Sequence, residues 1–161
     1  MSNQIFVKMA LDAWQGQLKS TDNLLNKLAD EQLMQEIAPS RNRGIYLLGH
    51  LVAVHDMMLP LLILGDAQYP QLYPIFVQSP DRAVADLPPI KELRTQWAAV
   101  NEKLSAHFAG LTPDEWFSRH ASVSPEDFAK EPHRNRLNVL LSRTNHLSYH
   151  RGQLVLLEAK D

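Results

Sequence analysis

The stretch that decides the fold is residues 45–64, IYLLGHLVAVHDMMLPLLIL, the most apolar window of the chain. Its length is close to that of a membrane-spanning helix. Four of its residues are unfavourable at the centre of a bilayer: His50, His55, Asp56 and Pro60. A helix from about residue 43 to 64, buried inside the protein, explains the pattern better because it is apolar on most of its circumference.

The two ends of this helix can be predicted from local signals. Asn42 lies in a run of helix-breaking residues and is a candidate N-cap. Pro60 should bend the helix near its end, because proline has no amide proton and its ring crowds the preceding turn.

Two histidines of this helix point in different directions. His50 shares a stripe with Tyr46, Val54 and Met57, so it should face inward. A single histidine on an apolar helix face is more often a hydrogen-bonded core residue than a metal ligand. His50 could bind a metal only if other ligand residues lay next to it. His55 lies about 140° from His50 around the helix, so it should support a site indirectly or lie on the surface.

Hydrophobic periodicity predicts three further long helices, at about residues 3–28, 90–108 and 135–158. The first should bury a stripe of apolar residues: Phe6, Met9, Ala10, Ala13, Trp14, Leu18, Leu25 and Leu28. The second should bury another: Leu93, Trp97, Val100, Leu104 and Phe108. Residues 28–33 look like one additional helical turn.

Two long connections separate these helices. Residues 65–89 contain five prolines and little periodicity, and a connection of this length inside a domain is often functional. Residues 110–134 carry two helix starts, a capping box at Thr112 and a looser version at Ser124. Three aromatic residues should hold these turns on the body of the protein: Trp116, Phe117 and Phe128.

The composition places the chain among ordinary folded domains. Its 161 residues are 45% apolar and 21% charged, with a formal net charge of −2, so we expect a single domain covering 1–161. We find no sustained strand alternation and no repeat, and therefore predict an all-α four-helix bundle. The sequence has no basic stripe of the kind that binds nucleic acid, and its N-terminus does not have the pattern of a secretory signal. We therefore expect a cytoplasmic protein that binds neither nucleic acid nor membrane.

The last predicted helix carries the motif with the clearest chemistry, HLSYHRGQ at residues 146–153. His146 and His150 are four residues apart and lie on one helix face, where both imidazoles can approach one metal ion. Apolar residues flank the pair by helical angle, namely Val139, Leu154 and Leu157. If the second and fourth helices are neighbours, His50 can complete a set of three imidazoles. The other histidines share no periodicity and should be surface or packing residues: His107, His120 and His133.

Two stretches of the chain, LLGHL at 47–51 and NHLSYHRGQL at 145–154, resemble the DinB/YfiT-like family of metal-dependent enzymes. The resemblance extends over the whole chain in segment order. It implies a four-helix bundle with long second and third connections, a divalent metal held by His50, His146 and His150, and a homodimer. Some relatives are transferases or isomerases that use low-molecular-weight bacterial thiols, whereas many have no established activity.

Three interpretations of function follow. In the first, the chain is a metal-dependent enzyme, since three protein ligands leave a position open for water or substrate. Its substrate would be a small molecule, with a thiol transferase favoured over a hydrolase because no carboxylate lies on the histidine stripes. Tyr46 and Gln153 are candidates for orienting the occupant, or are ordinary hydrogen-bonding residues at the bundle rim. Imidazole ligands suit zinc and nickel foremost, and also copper and iron.

The second interpretation is a non-catalytic, stress-related bundle that binds a metal or a small ligand. In the third, the histidines pack together without metal. The chain contains no cysteine, which excludes thiolate ligands, disulfides and a cysteine nucleophile from all three.

Overall fold

The computed structural model describes residues 2–158. Its helices, in chain order, are α1 (Ser2–Lys27), α2 (Asp30–Leu33), α3 (Gly44–Asp56), α4 (Met58–Leu61), α5 (Leu72–Phe76), α6 (Ile90–Gly110), α7 (Pro113–Trp116), α8 (Pro125–Lys130) and α9 (Arg136–Leu154). A 3-10 turn, Val155–Leu157, continues α9. No β-strand occurs within residues 2–158, which confirms the all-α class.

The long helices α1, α3, α6 and α9 surround a common core. α1 packs along α9, α3 packs along α6, and α3 also contacts α9. Hydrogen bonds connect α6 to α1: the indole of Trp97 donates to Asp22 at 2.8 Å, and the guanidinium of Arg94 donates to the carbonyl of Leu25 at 2.6 Å. The connections that were predicted to be long contain the short helices α5, α7 and α8.

The central position of α3 follows from its composition. Twelve of its thirteen residues are buried, and only His50 is partly exposed. Gly44 begins the helix where a Cβ atom would lie 2.9 Å from the backbone Cα of Leu33, so only glycine fits without a shift. By length and composition Gly44–Leu61 could cross a membrane, but 78% of that window is buried inside the protein. A core helix shows the same pattern, and the stretch is therefore weak evidence for a membrane span.

The predicted helix over 43–64 is in fact two helices, because α3 ends at Asp56 and α4 begins at Met58. Pro60 explains the break: it has no amide proton to donate to the carbonyl of Asp56. The side chain of Asp56 is buried and accepts hydrogen bonds from the amides of Gln68 at 2.8 Å and Tyr69 at 2.7 Å. This carboxylate therefore anchors the start of the connection that leads to α5.

The prediction that Asn42 caps this helix was wrong. The N-cap is Arg43, which has no side-chain capping bond. Its amide donates instead to Asp81 at 2.8 Å, and its guanidinium pairs with the same carboxylate at 2.7 Å. A residue 38 positions away thus supplies the acceptor that Asn42 was expected to supply.

The predicted core stripe of α1 was partly wrong. Trp14, Leu18 and the later leucines are buried, but Phe6 and Met9 are 58% and 62% exposed. Ala13 is exposed as well. Val7 takes the buried position in the first turns, because two adjacent faces of α1 are apolar there and α9 covers only one of them. The other predictions for the long helices and for the caps at Thr112 and Ser124 are confirmed.

Candidate metal centre

The histidine pair on α9 is held by an ordinary helix start. The side chain of Asn135 caps α9 by accepting from the amide of Asn138 at 2.9 Å. Eleven residues further on, His146 begins the pair, and its Nε2 lies 3.1 Å from the Nε2 of His150. Both rings are half-buried, because they lie between the buried residues of the same helix and solvent.

His50 joins this pair from α3. Its Nε2 lies 3.1 Å from the Nε2 of His146. The candidate ligand atoms of all three residues lie within 4.8 Å of one another. Residues 96 positions apart in sequence therefore form one group, because α3 and α9 are neighbours in the core. Within the described part of the chain, this is the group of histidine, aspartate and glutamate side chains that could hold a metal ion.

Two of the three rings have a defined tautomer. The Nδ1 of His50 lies 2.8 Å from the carbonyl oxygen of Phe76, which can only accept, so Nδ1 must carry the proton. The Nδ1 of His150 lies 2.7 Å from the amide oxygen of Gln153 and donates to it in the same way. In neutral rings, both Nε2 atoms therefore present lone pairs towards His146.

His146 cannot satisfy both neighbours by itself. If its Nε2 carries the proton, it can donate to one lone pair but not to the other. If its Nδ1 carries the proton, that atom is buried without a hydrogen-bond partner and all three Nε2 atoms meet as lone pairs. Either arrangement leaves polar atoms unsatisfied at a cost in stability. A divalent cation accepts all three lone pairs, so these residues fit a metal ion.

Electrostatics keeps the three rings neutral. Burial, above all, together with the neighbouring rings of His150 and His50, lowers the pKa of His146 to about 3. Burial also lowers the pKa of His50 and of His150 below the ordinary value. The neutral imidazole is the form that binds metal, so the group is ready to accept an ion near neutral pH.

Both candidate orienting residues use their polar atoms elsewhere. Tyr46 stacks against His50 with ring centroids 6.4 Å apart, and its hydroxyl donates to the carbonyl of Ser79 at 2.7 Å. Gln153 accepts from His150 and donates to the hydroxyl of Tyr149 at 3.3 Å. Their positions beside the group agree with the sequence prediction, whereas a catalytic role for either remains a prediction.

The prediction left two roles open for His55, and the surface position is wrong because the side chain is fully buried. Its ring lies between those of Trp14 and Trp97, with centroid distances of 4.9 and 4.8 Å. Its Nδ1 donates to the side-chain oxygen of Asn101 at 2.7 Å, and burial lowers its pKa to about 4. It makes no hydrogen bond to the three-histidine group, and acts as a core residue.

The remaining histidines lie outside the group, as predicted. His107 and His120 are half-buried and His133 is exposed. The structure places two further groups beside the three histidines that the sequence did not indicate: the Phe76 carbonyl and the Arg143 side chain. A backbone carbonyl leaves no signal in the sequence, whereas Arg143 lies three residues before His146 and its helical spacing could have indicated it.

The fold and the site define a class of protein, an all-α domain that brings three histidines together in a group able to hold a metal ion. The model of the DinB superfamily matches residues 13–154 of the sequence. That match covers most of the chain, and the chain belongs to the DinB superfamily. Comparison with curated proteins gave no match.

Proposed function

We propose that the protein is a divalent-metal-dependent transferase that acts with a low-molecular-weight thiol, with the ion held by His50, His146 and His150. The observation that carries the metal site is the convergence of Nε2 atoms at 3.1 Å, with Nδ1 protons directed outwards on two rings. Zinc and nickel are the foremost candidates, because neutral imidazole suits both.

The choice of reaction follows from the groups that surround the site. Three protein ligands leave a position open for a substrate atom. A divalent ion there would lower the pKa of a coordinated water or thiol. No carboxylate belongs to the group within residues 2–158, and the chain has no cysteine. A reaction in which the small molecule supplies the nucleophile therefore requires the fewest catalytic groups from the protein.

The first test concerns the metal. Untagged protein from unsupplemented cells should contain close to one equivalent of a transition metal, measured by elemental analysis. A chelator should lower the melting temperature, since an ion bound only to the folded state stabilises it by about 2.7 kcal/mol at a hundredfold excess over its dissociation constant. His146→Ala and His150→Ala should abolish this sensitivity. His133→Ala, an exposed histidine outside the group, is the matched control.

The outcome of that test is unambiguous. Equal sensitivity to chelator in wild type and in His146→Ala would place any bound metal elsewhere and overturn the site. Sensitivity should also weaken as the pH falls, because protons compete with the ion for each imidazole.

The second test concerns the thiol. Protein loaded with cobalt should change its visible absorption when bacterial thiols are added singly, and His50→Ala should remove the change. If no thiol alters the spectrum while small carboxylates or phosphates do, the transfer reaction is wrong. The protein would then be a metal- and ligand-binding bundle without this catalysis, as the absence of an acid–base residue from the group would also suggest.

We further propose that the protein acts in the cytoplasm as a homodimer. Phe6, Met9 and Leu141 are exposed large apolar residues. Together with Ala13, Phe117 and Leu137 they line a surface cavity. An apolar surface that the chain leaves uncovered is a common feature of subunit interfaces, and a second copy would bury it.

A further inference from the structure

Arg143 lies one helical turn before His146 on α9. Residues three and seven positions apart share a helix face, so Arg143 is on the side of α9 that carries His146 and His150. Its side chain is half-buried. The Nε atom is closed to solvent and has no hydrogen-bond partner within residues 2–158. A guanidinium nitrogen in that state costs free energy, because burial removes its water without replacing it.

Four of the other arginines have acidic partners, whereas Arg143 and four more do not within residues 2–158. The four with a carboxylate within salt-bridge distance are Arg43, Arg82, Arg94 and Arg134. Within residues 2–158 no carboxylate lies within that distance of Arg143. Burial accordingly lowers the pKa of Arg143, and Tyr73 opposes this effect only in part.

The guanidinium belongs to the surroundings of the histidine group. Arg143 lies one turn before His146 on the same face of α9, and α9 packs against α3, which carries His50. Tyr73 lies on α5, three residues before Phe76, whose carbonyl accepts from His50. Arg143 and α5 therefore border the same site from two sides.

The charges at this site do not balance. Three neutral imidazoles and one guanidinium carry a positive charge before any ion is bound, and no acidic side chain belongs to the histidine group within residues 2–158. A divalent cation adds two more positive charges. A ligand that carries negative charge would offset this positive charge, since an uncompensated charge that is partly removed from water is unfavourable.

We propose that Arg143 binds the carboxylate of a small-molecule substrate whose other end occupies the open position on the ion. This inference rests on the proposed function, because it assumes an ion held by the three histidines. A single planar guanidinium matches a planar carboxylate through two parallel hydrogen bonds. The same fork also fits a phosphate, and the test below distinguishes the two anions.

The test uses two thiols that differ at the end remote from sulfur. Cobalt-loaded protein is titrated with 3-mercaptopropionate, which has a carboxylate, and with 2-mercaptoethanol, which has a hydroxyl, and the visible absorption is followed. The wild type should bind the carboxylate thiol about 10- to 100-fold more tightly, the range expected for hydrogen bonds between charged groups. Arg143→Met should remove this preference, and Arg143→Lys should keep only part of it.

Arg136→Met is the matched control. Arg136 is half-buried on the same helix and its Nε also lacks a partner, but it lies two to three turns before the histidine pair. This variant should keep the wild-type preference. Arg143→Met should also bind cobalt at least as tightly as wild type and should not lower the melting temperature of the metal-free protein, because it removes an unpaired buried charge.

The possible outcomes test the proposed function and the role of Arg143 separately. If wild type does not bind cobalt, the proposed function fails and this inference fails with it. If cobalt binds but Arg143→Met keeps the carboxylate preference, only the inference is overturned. If neither thiol changes the spectrum, thiol transfer fails, and calorimetry with propionate against propionamide decides the inference through its dependence on Arg143. Tighter, Arg143-dependent binding of inorganic phosphate than of propionate would overturn the assignment to a carboxylate.

Discussion

Replacing Gly49 by alanine should damage the candidate site without touching any of its ligands. A Cβ atom at this position would lie 2.4 Å from two ring atoms of Phe76 and 2.6 Å from a third. Carbon atoms normally approach to about 3.5 Å, so the ring must retreat by about 1 Å. Phe76 is fully buried, so its ring cannot turn out into solvent without other residues moving. The short helix α5 must therefore move away from α3.

Two effects of opposite sign determine how much the free energy of unfolding changes in Gly49→Ala. Overpacking of a filled core costs roughly 1–3 kcal/mol, whereas alanine in place of glycine inside a helix gains up to about 1 kcal/mol. We expect the free energy of unfolding of the metal-free protein to fall by about 1–2 kcal/mol. The 2.8 Å hydrogen bond from His50 to the Phe76 carbonyl should lengthen with the movement of α5. Loss of such a partner typically lowers metal affinity about 10- to 100-fold.

Urea denaturation measures the first quantity and competition with a chromogenic chelator measures the second. Gly16→Ala is the matched control, because this glycine also lies inside a helix but nothing is within 4 Å of its Cβ position. That variant should be as stable as wild type or more so. The double variant Gly49→Ala with Phe76→Leu should recover part of both losses. If Gly49→Ala unfolds and binds metal as wild type does, the contact between Gly49 and Phe76 does not hold the site together.

Three further predictions concern other parts of the molecule. Asp56→Ala should lower the free energy of unfolding by about 1–3 kcal/mol in urea denaturation, since two backbone amides lose a charged, buried acceptor; an unchanged midpoint would show that these amides find other partners. The pKa of His55 is lowered to about 4 in the folded protein, so between about pH 6.5 and 4 the unfolded state binds the extra proton and stability falls as the pH falls. His55→Gln should flatten that decline in denaturation curves measured on metal-free protein, and an equally steep decline would assign it to other groups. Met9→Lys should convert a dimer into a monomer by light scattering, whereas Met34→Lys, at another exposed methionine, should not; a wild type that is already monomeric would overturn the proposed dimer.

Local features of the sequence determined much of the fold. The spacing of apolar residues identified the four long helices, and the signals at Thr112 and Ser124 identified two short ones. These predictions succeeded because helix formation and capping depend on residues three or four positions apart. The positions of His146 and His150 could be predicted in the same way, because the two residues are four positions apart on one helix.

The tertiary structure alone decided how those elements combine. Two apolar faces compete near the start of α1, and only the position of α9 determines that Val7 is buried while Phe6 and Met9 are exposed. His55 is a core residue because aromatic rings from α1 and α6 cover it. Asp81 supplies the acceptor at the start of α3 in place of Asn42, and the Phe76 carbonyl orients His50. Within the part of the chain that the structure describes, no carboxylate pairs with Arg143. Each depends on contacts between residues far apart in the chain, which local periodicity does not encode.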